Sequence, residues 1–282
     1  MSASARRRRP FLDSDPPVLF AHRGGGLLWP ENTLAAFEES LALGLRFLET
    51  DVHETRDGIL VAHHDEQVDR TTNGSGNIRD MRYAELLRLD AGYHFTRDGE
   101  TFPCRGKGYV IPQLIEVFNL SVRARVNVEI KPPGRGVVRK LWDLIDHHGL
   151  YDRILVAAEN DQQVRRFRRI SGGRVATSSG RRETLRFWAA SRLGLERLLP
   201  LPFDALQVPT VFKGLTVVDH KLIRAAHRSG VQVHVWTIDE PSEMRRLLNL
   251  GVDGLMSDRP DRLSALAAII GGQKAEQKDH RA

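Results

Sequence analysis

The chain has 282 residues, 41% of them hydrophobic and 28% charged, with a formal net charge of +6; this is the make-up of a folded globular protein and excludes fibrous, collagen-like and wholly disordered classes. No apolar run approaches the ~20 residues that cross a bilayer as a helix. Cys104 is the only cysteine, which excludes an intramolecular disulfide and an all-cysteine metal site, and nothing in its surroundings, "ETFPCRGKG", requires a reactive thiolate.

The N-terminal stretch "MSASARRRRPFLDSDPP" has a basic cluster with no apolar segment behind it. It reads as a disordered basic arm over residues 1–16 without a secretory signal, and the expected location is cytoplasmic. The first strand is "PVLFAH" (17–22), followed by a helix opened by "PENT", with Leu34, Phe37, Leu41 and Leu45 at helical spacing and Gly44 at its end. The second strand is "RFLETDV" (46–52). There the rhythm breaks: "RDG" signals a tight turn, and "ILVAHH" (59–64) returns after too few residues for a crossover helix, which makes the pair an antiparallel hairpin. An insertion of about 54–110 follows, before "PQLIEVFNLSV" resumes with a helix. Further strands are expected at 125–131, 153–159, 174–179, 204–209, 231–237 and 253–258, with amphipathic stretches between them and a closing helix "RPDRLSALAAII". Leaving out the hairpin return, eight βα units in one chain of this length predict a (β/α)₈ TIM barrel as a single domain over 17–270, with a disordered polar tail at 271–282.

The positive charge is scattered, with local runs at 6–9, "VRRFRRI" and "SGRRETLR" and no nucleic-acid-binding signature. It reads as solvated helix faces, with attraction toward an anionic membrane surface or substrate as the second reading; no nucleic acid and no protein partner is implied.

Barrel enzymes work at the carboxyl ends of their strands. Strand one ends in His22 and Arg23, strand two carries Glu49 and Asp51, strand three Glu129 and Lys131, and strand seven ends in Trp236. Side chains two apart share a face, so Glu49 pairs with Asp51 and Glu129 with Lys131. Carboxylates brought together repel and are costly to desolvate, which raises their pKa values or recruits a cation; an oxygen-only set favours Mg²⁺ or Ca²⁺ over zinc. Salt bridges with Lys131 and Arg23 inside the barrel are the purely structural alternative. His22 and His64 can act as acid and base across a metal in breaking a phosphate ester, with Arg23 and Lys131 holding the phosphate oxygens. Asp65 orients His64 or stabilises its turn, and His63, alternating away, is structural. The glycines of "HRGGG" offer backbone amides to an anion. Trp236 is a pocket wall or ordinary core.

These pieces resemble the glycerophosphodiester phosphodiesterase family: "AHRGGG" with "PENTLAAFEESLALG", "FLETDVHETRDGILVAHHDEQVDRTTNGSG", "VIPQLIEVF", "NVEIKP", "VQVHVWTID" and "GVDGLMSDRPDRL" occur in order through nearly the whole chain. The resemblance implies a TIM barrel with an insertion after the second strand. It implies a divalent metal on Glu49, Asp51 and Glu129, with Glu31 of "PEN" an additional candidate, and His22 and His64 as the catalytic pair. Arg23 and Lys131 match the phosphate-binding positions. The implied reaction is hydrolysis of a small-molecule glycerophosphodiester to glycerol 3-phosphate and an alcohol, through a nucleophile that is water or the substrate's own glycerol 2-hydroxyl. His63 and Gln113 depart from the commonest family pattern without touching this machinery. The stretch from Asp204 to Asp239 looks more like a lysophospholipase D-type subgroup that cleaves lysolipids, and the apolar segment 184–203 would supply the groove such a substrate needs. A metal-dependent aldolase or isomerase on the same barrel, and a non-catalytic protein binding anionic surfaces, are the rival readings.

Overall fold

A computed structural model describes residues 9–13, 17–131 and 135–279. Eight parallel strands form a barrel in the spatial order β6 (Ala176–Thr177), β5 (Ile154–Ala157), β4 (Arg125–Ile130), β2 (Phe47–Glu54), β1 (Val18–Ala21), β11 (Gly254–Ser257), β10 (Gln232–Val235) and β7 (Ala205–Val208). A parallel bridge between Ser178 and Ala205 links the first of these to the last. Around them lie α1 (Leu34–Ala42), α3 (Leu114–Asn119), α4 (Arg135–His147), α5 (Asp161–Ile170), α6 (Arg181–Leu193), α7 (His220–Arg228), α8 (Pro241–Leu250) and α9 (Pro260–Asp279). Each helix buries an apolar stripe against the barrel wall, as Val164 and Phe167 do on α5, which is what right-handed βα crossovers of a parallel sheet require.

The break in rhythm after β2 is real. β3 (Leu60–Ala62) runs antiparallel to β2, with Val52 opposite Ala62 and Glu54 opposite Leu60. The inserted segment, which includes α2 (Tyr83–Leu86), packs over its own small core of Val61, Val68, Ile78, Leu86, Ala91 and Ile111.

Strand alternation sorts the barrel interior into layers. Phe20 and Phe47 lie opposite one another in the β1–β2 register and pack with ring centroids 5.4 Å apart. Phe11 joins them at 5.8 Å from Phe47, closing the floor. Above them Asn127, Gln207 and His234 form a neutral polar layer in which Gln207 Nε2 donates to Asn127 Oδ1 at 3.0 Å. The ring of His234 is wholly buried against Phe20, and Gly254 on the neighbouring strand leaves room for it: a Cβ there would stand 2.8 Å from His234 Cδ2.

Three expectations shift. The domain does not begin at residue 17, because Arg9–Asp13 are packed against the barrel: Phe11 is buried and Arg9 Nε donates to Asp204 at 2.9 Å. Residues 1–8 and 14–16 of the expected arm lie outside the described residues. At the other end α9 continues to Asp279, past the boundary set at 270, since "QKAEQKD" is made of residues that tolerate or favour helix. A two-stranded hairpin, β8 (Val211–Phe212) and β9 (Leu215–Thr216), follows β7 where no strand was expected. Among the described residues no helix is long and apolar enough to cross a membrane.

Candidate active site

The alternation that sends Phe47 to the floor carries Glu49 and Asp51 up the same face of β2 toward the mouth. In the β2–β4 register Asp51 stands opposite Glu129 and Glu49 opposite Asn127. Oxygen atoms of Glu49, Asp51 and Glu129 come within 4.8 Å of one another. Glu49 and Asp51 are buried, while Glu129 is partly open.

Positive groups close round this triad. Lys131 Nζ donates to Glu129 Oε2 at 2.8 Å and lies 3.2 Å from Asp51 Oδ1. Arg23 donates its backbone N–H to Glu49 Oε2 at 3.1 Å, which its left-handed conformation (φ 51°) permits, and its guanidinium reaches Glu31 at 3.2 Å and Asp51 at 3.5 Å. The glycine turn is shaped by packing: Gly24 has φ 78°, and a Cβ there would meet Ala36 at 2.8 Å. The Arg23 amide is spent on Glu49 and that of Gly25 on the His22 carbonyl, so the expected anion cradle of "HRGGG" is engaged internally at those two positions.

Burial pushes Glu49 up, the neighbouring Asp51 adds to the effect, and the group sits at about 8. Burial opposes ionisation of Asp51 as well, but Lys131 and Arg23 hold it below the ordinary aspartate range. Three carboxylates thus face two cations, and Asp51 Oδ1 is buried without a hydrogen bond. An all-oxygen set with an uncommitted buried lone pair fits a hard divalent cation such as Mg²⁺ or Ca²⁺.

Each histidine is held by an aspartate. His22 follows β1 with its side chain facing the triad: its Nδ1 lies 2.8 Å from Asp258 Oδ1 and its Nε2 3.7 Å from Glu49. A carboxylate only accepts, so Nδ1 carries the proton toward Asp258 and Nε2 faces the site. Burial alone would lower His22; Glu49 and Asp258 overcome it and raise the group to about 9. His64 arrives on the return of the β2–β3 hairpin, fixed where the His63 N–H donates to the Asp51 carbonyl at 3.1 Å and His53 Nε2 donates to the His64 carbonyl at 3.0 Å. Its Nδ1 is 2.6 Å from Asp65 Oδ1. Both imidazoles lie within electrostatic reach of Asp51.

Sequence reasoning missed three members of the site. Asp258 directly follows β11, two residues beyond Met256 on the alternation that carries Glu49 and Asp51 toward the mouth, and its backbone N–H donates to Asp239 at 2.8 Å. Asn32, beside Glu31, donates to Asp51 Oδ2 at 3.1 Å and accepts from Thr50 at 2.7 Å. Arg70 of the insertion grips Asp65 at 2.6 Å and both oxygens of Glu31 at 2.7 and 2.8 Å. Against the cost of burial, Arg70 and Arg23 hold Glu31 down to about 2. Glu31 therefore lies between two arginines, and the triad itself is Glu49, Asp51 and Glu129.

The His63 ring bonds locally, with Nδ1 2.9 Å from the Asp65 carbonyl and Nε2 3.1 Å from Thr71. Trp236 stands at the mouth with 38% of its surface exposed. Segment 184–203 buries Phe187, Ala190 and Phe203 in the core, leaves Leu185, Leu193, Leu195 and Leu198 exposed, and lines a cavity with Leu199, Leu201 and Phe203.

Residues 22–262 match the glycerophosphoryl diester phosphodiesterase family. The chain is 32% identical to a probable glycerophosphodiester phosphodiesterase 2 of Mycobacterium tuberculosis, covering 90% of this chain and 91% of that one. It is 33% identical to a glycerophosphodiester phosphodiesterase of Caldanaerobacter subterraneus over 87% and 96%, and 28% identical to mouse lysophospholipase D GDPD1 over 92% and 87%. Among solved structures, an Oleispira antarctica phosphodiesterase in complex with the product sn-glycerol-3-phosphate superposes with a TM-score of 0.71 at 26% identity, covering 89% of this chain and 96% of that one. With the matched region spanning every residue of the triad and both histidines, the chain belongs to the glycerophosphoryl diester phosphodiesterase family of phosphoric diester hydrolases.

Proposed function

We propose that this chain hydrolyses glycerophosphodiesters to glycerol 3-phosphate and an alcohol in the cytoplasm, with a divalent cation on Glu49, Asp51 and Glu129 and with His22 and His64 exchanging the protons. The observation that carries this reading is the pair of imidazoles, each with Nδ1 committed to an aspartate and Nε2 left for chemistry, set at the edge of one acidic triad. When bound, the cation would polarise the phosphate and ease ionisation of the attacking hydroxyl.

The remaining work falls to this chain's own side chains. One imidazole Nε2 takes the proton of the attacking oxygen as that oxygen bonds to phosphorus. The other delivers a proton to the departing alkoxide as its bond to phosphorus breaks. Asp65 and Asp258 hold the rings and stabilise the imidazolium form. Arg23 Nε is buried without a hydrogen-bond partner, and Lys131 stands beside the triad; both would meet the non-bridging phosphate oxygens. Lysophospholipids are the second substrate class, favoured by the exposed apolar side chains of Leu27 and Trp236.

His22→Ala and His64→Ala are each expected to lose at least ~100-fold in turnover of glycerophosphocholine, while keeping the fold and any thermal stabilisation by added Mg²⁺ or Ca²⁺. A near-wild-type rate in either would sink the two-histidine scheme. Running glycerophosphocholine, glycerophosphoethanolamine and lysophosphatidylcholine with each ion in turn separates the substrate classes.

A further inference from the structure

The β8–β9 hairpin has no place in the barrel. Its strands pair only with each other, through Val211 with Thr216 and Phe212 with Leu215, and all six residues from 211 to 216 are exposed. Two-stranded hairpins are marginal in water on their own, and this one is tied to α6 where Trp188 Nε1 donates to the Thr216 carbonyl at 3.4 Å, yet it leaves Val211 at 53%, Phe212 at 45% and Leu215 at 59% exposure. Soluble surfaces seldom gather apolar side chains this way without a partner.

The side chains stacked on its aromatic ring are basic. Lys213 sits at the tip, with its ammonium 5.8 Å from the Phe212 ring, and Arg181 reaches the same ring at 5.5 Å from the first turn of α6. Arg182 and Arg186 are exposed on the same helix. The acidic groups nearby are committed elsewhere: Glu183 is bonded to Arg168 at 2.8 Å and Asp219 to Arg192 at 2.6 Å. An apolar tip ringed by cations is the chemistry that seats in the headgroup layer of an anionic membrane, where the rings enter the interface and the cations meet phosphates.

Position completes the argument. The hairpin follows the carboxyl end of β7, the same end of the barrel as the triad. The Trp236 backbone N–H donates to the Val208 carbonyl at 3.2 Å, so the residue that bears the exposed indole and the root of the hairpin share one stretch of rim. We propose that the β8–β9 hairpin, with Phe212 and Leu215 as anchors and Lys213 and Arg181 as flanking cations, docks this protein by its active-site face on anionic phospholipid bilayers. The inference concerns where the enzyme works, and it stands apart from which diester it cleaves.

The test is co-sedimentation of the full chain with vesicles of phosphatidylcholine alone and of phosphatidylcholine mixed with phosphatidylglycerol. Wild type is expected to bind the mixed vesicles more tightly than the neutral ones, and to lose that preference in high salt. Phe212→Ser/Leu215→Ser is expected to bind the mixed vesicles at least about tenfold more weakly, since each anchor loses its apolar burial, and Lys213→Glu should weaken only the anionic component. Hydrolysis of water-soluble glycerophosphocholine should be unchanged in both variants, which confirms the fold and reads the catalytic proposal separately. Absence of wild-type binding, or equal binding by the serine variant, overturns the inference. So does a wild-type dimer that the serine variant converts to monomer without any vesicle binding, which would assign the hairpin to a second copy of the chain.

Discussion

His234 gives the interior its clearest solution signature. The ring is fully buried, its Nε2 donates to Gln232 Oε1 at 2.9 Å, and burial pushes its pKa from the ordinary 6.5 down to about 3. A histidine that resists protonation in the fold but accepts a proton once unfolded stabilises the protein fully above pH 6.5, and that contribution drains as pH falls toward 3. Integrating between those two values gives a loss of about 3 kcal/mol between pH 7 and pH 4. His234→Gln keeps a polar head in the layer and removes the titration. Urea unfolding followed by tryptophan fluorescence at pH 7, 5 and 4 is the assay, and the readout is how the stability difference between the two proteins changes with pH. The variant starts lower at pH 7 because its side chain fills the space less well, and the gap should close or invert on acidification. Parallel losses in the two proteins would refute the claim that this ring is held neutral by burial.

Two further outcomes follow from the site. Asp258→Asn should lower kcat about 10- to 100-fold with little change in KM, because it loosens the ring of His22 without touching the phosphate contacts; a change confined to KM would show that Asp258 does not position that histidine. Glu49→Gln removes a desolvated acid beside Asp51, so its thermal stability without added cation should equal or exceed wild type by about 1 kcal/mol. Hydrolysis and the rise in melting temperature on adding Mg²⁺ or Ca²⁺ should both disappear. Strong destabilisation instead would mean that Glu49 serves mainly as a structural partner of His22 and Arg23.

Much of this architecture could be read from the amino-acid order because barrels translate alternation into depth. Phe47, Glu49 and Asp51 had to share a face, and so did Asn127, Glu129 and Lys131, so the triad was legible before any coordinate. The short step from Asp51 to His64 forced a hairpin, which in turn brought the second imidazole home. Asp258 obeyed the same rule from β11, but a single aspartate at the end of a strand carries no partner in sequence: its contact to His22 spans 236 positions. Phe11 was hidden for a similar reason, being one anchor inside a basic, proline-rich stretch with no periodicity to reveal it. The β8–β9 hairpin escaped because its apolar residues point outward, where pattern reasoning assigns them to no core. Arg70 and Asn32 fix their neighbours through hydrogen bonds, and such bonds leave no repeat.

The floor of Phe11, Phe20 and Phe47 has a consequence for everything above it. Among the described residues its three rings plug the barrel end opposite the acidic layer. A cation that joins Arg23 and Lys131 in balancing Glu49, Asp51 and Glu129 would then arrive through the rim, by the route the phosphate takes. Loading the site and admitting the substrate are then successive uses of one doorway, and crowding at the rim would slow both together.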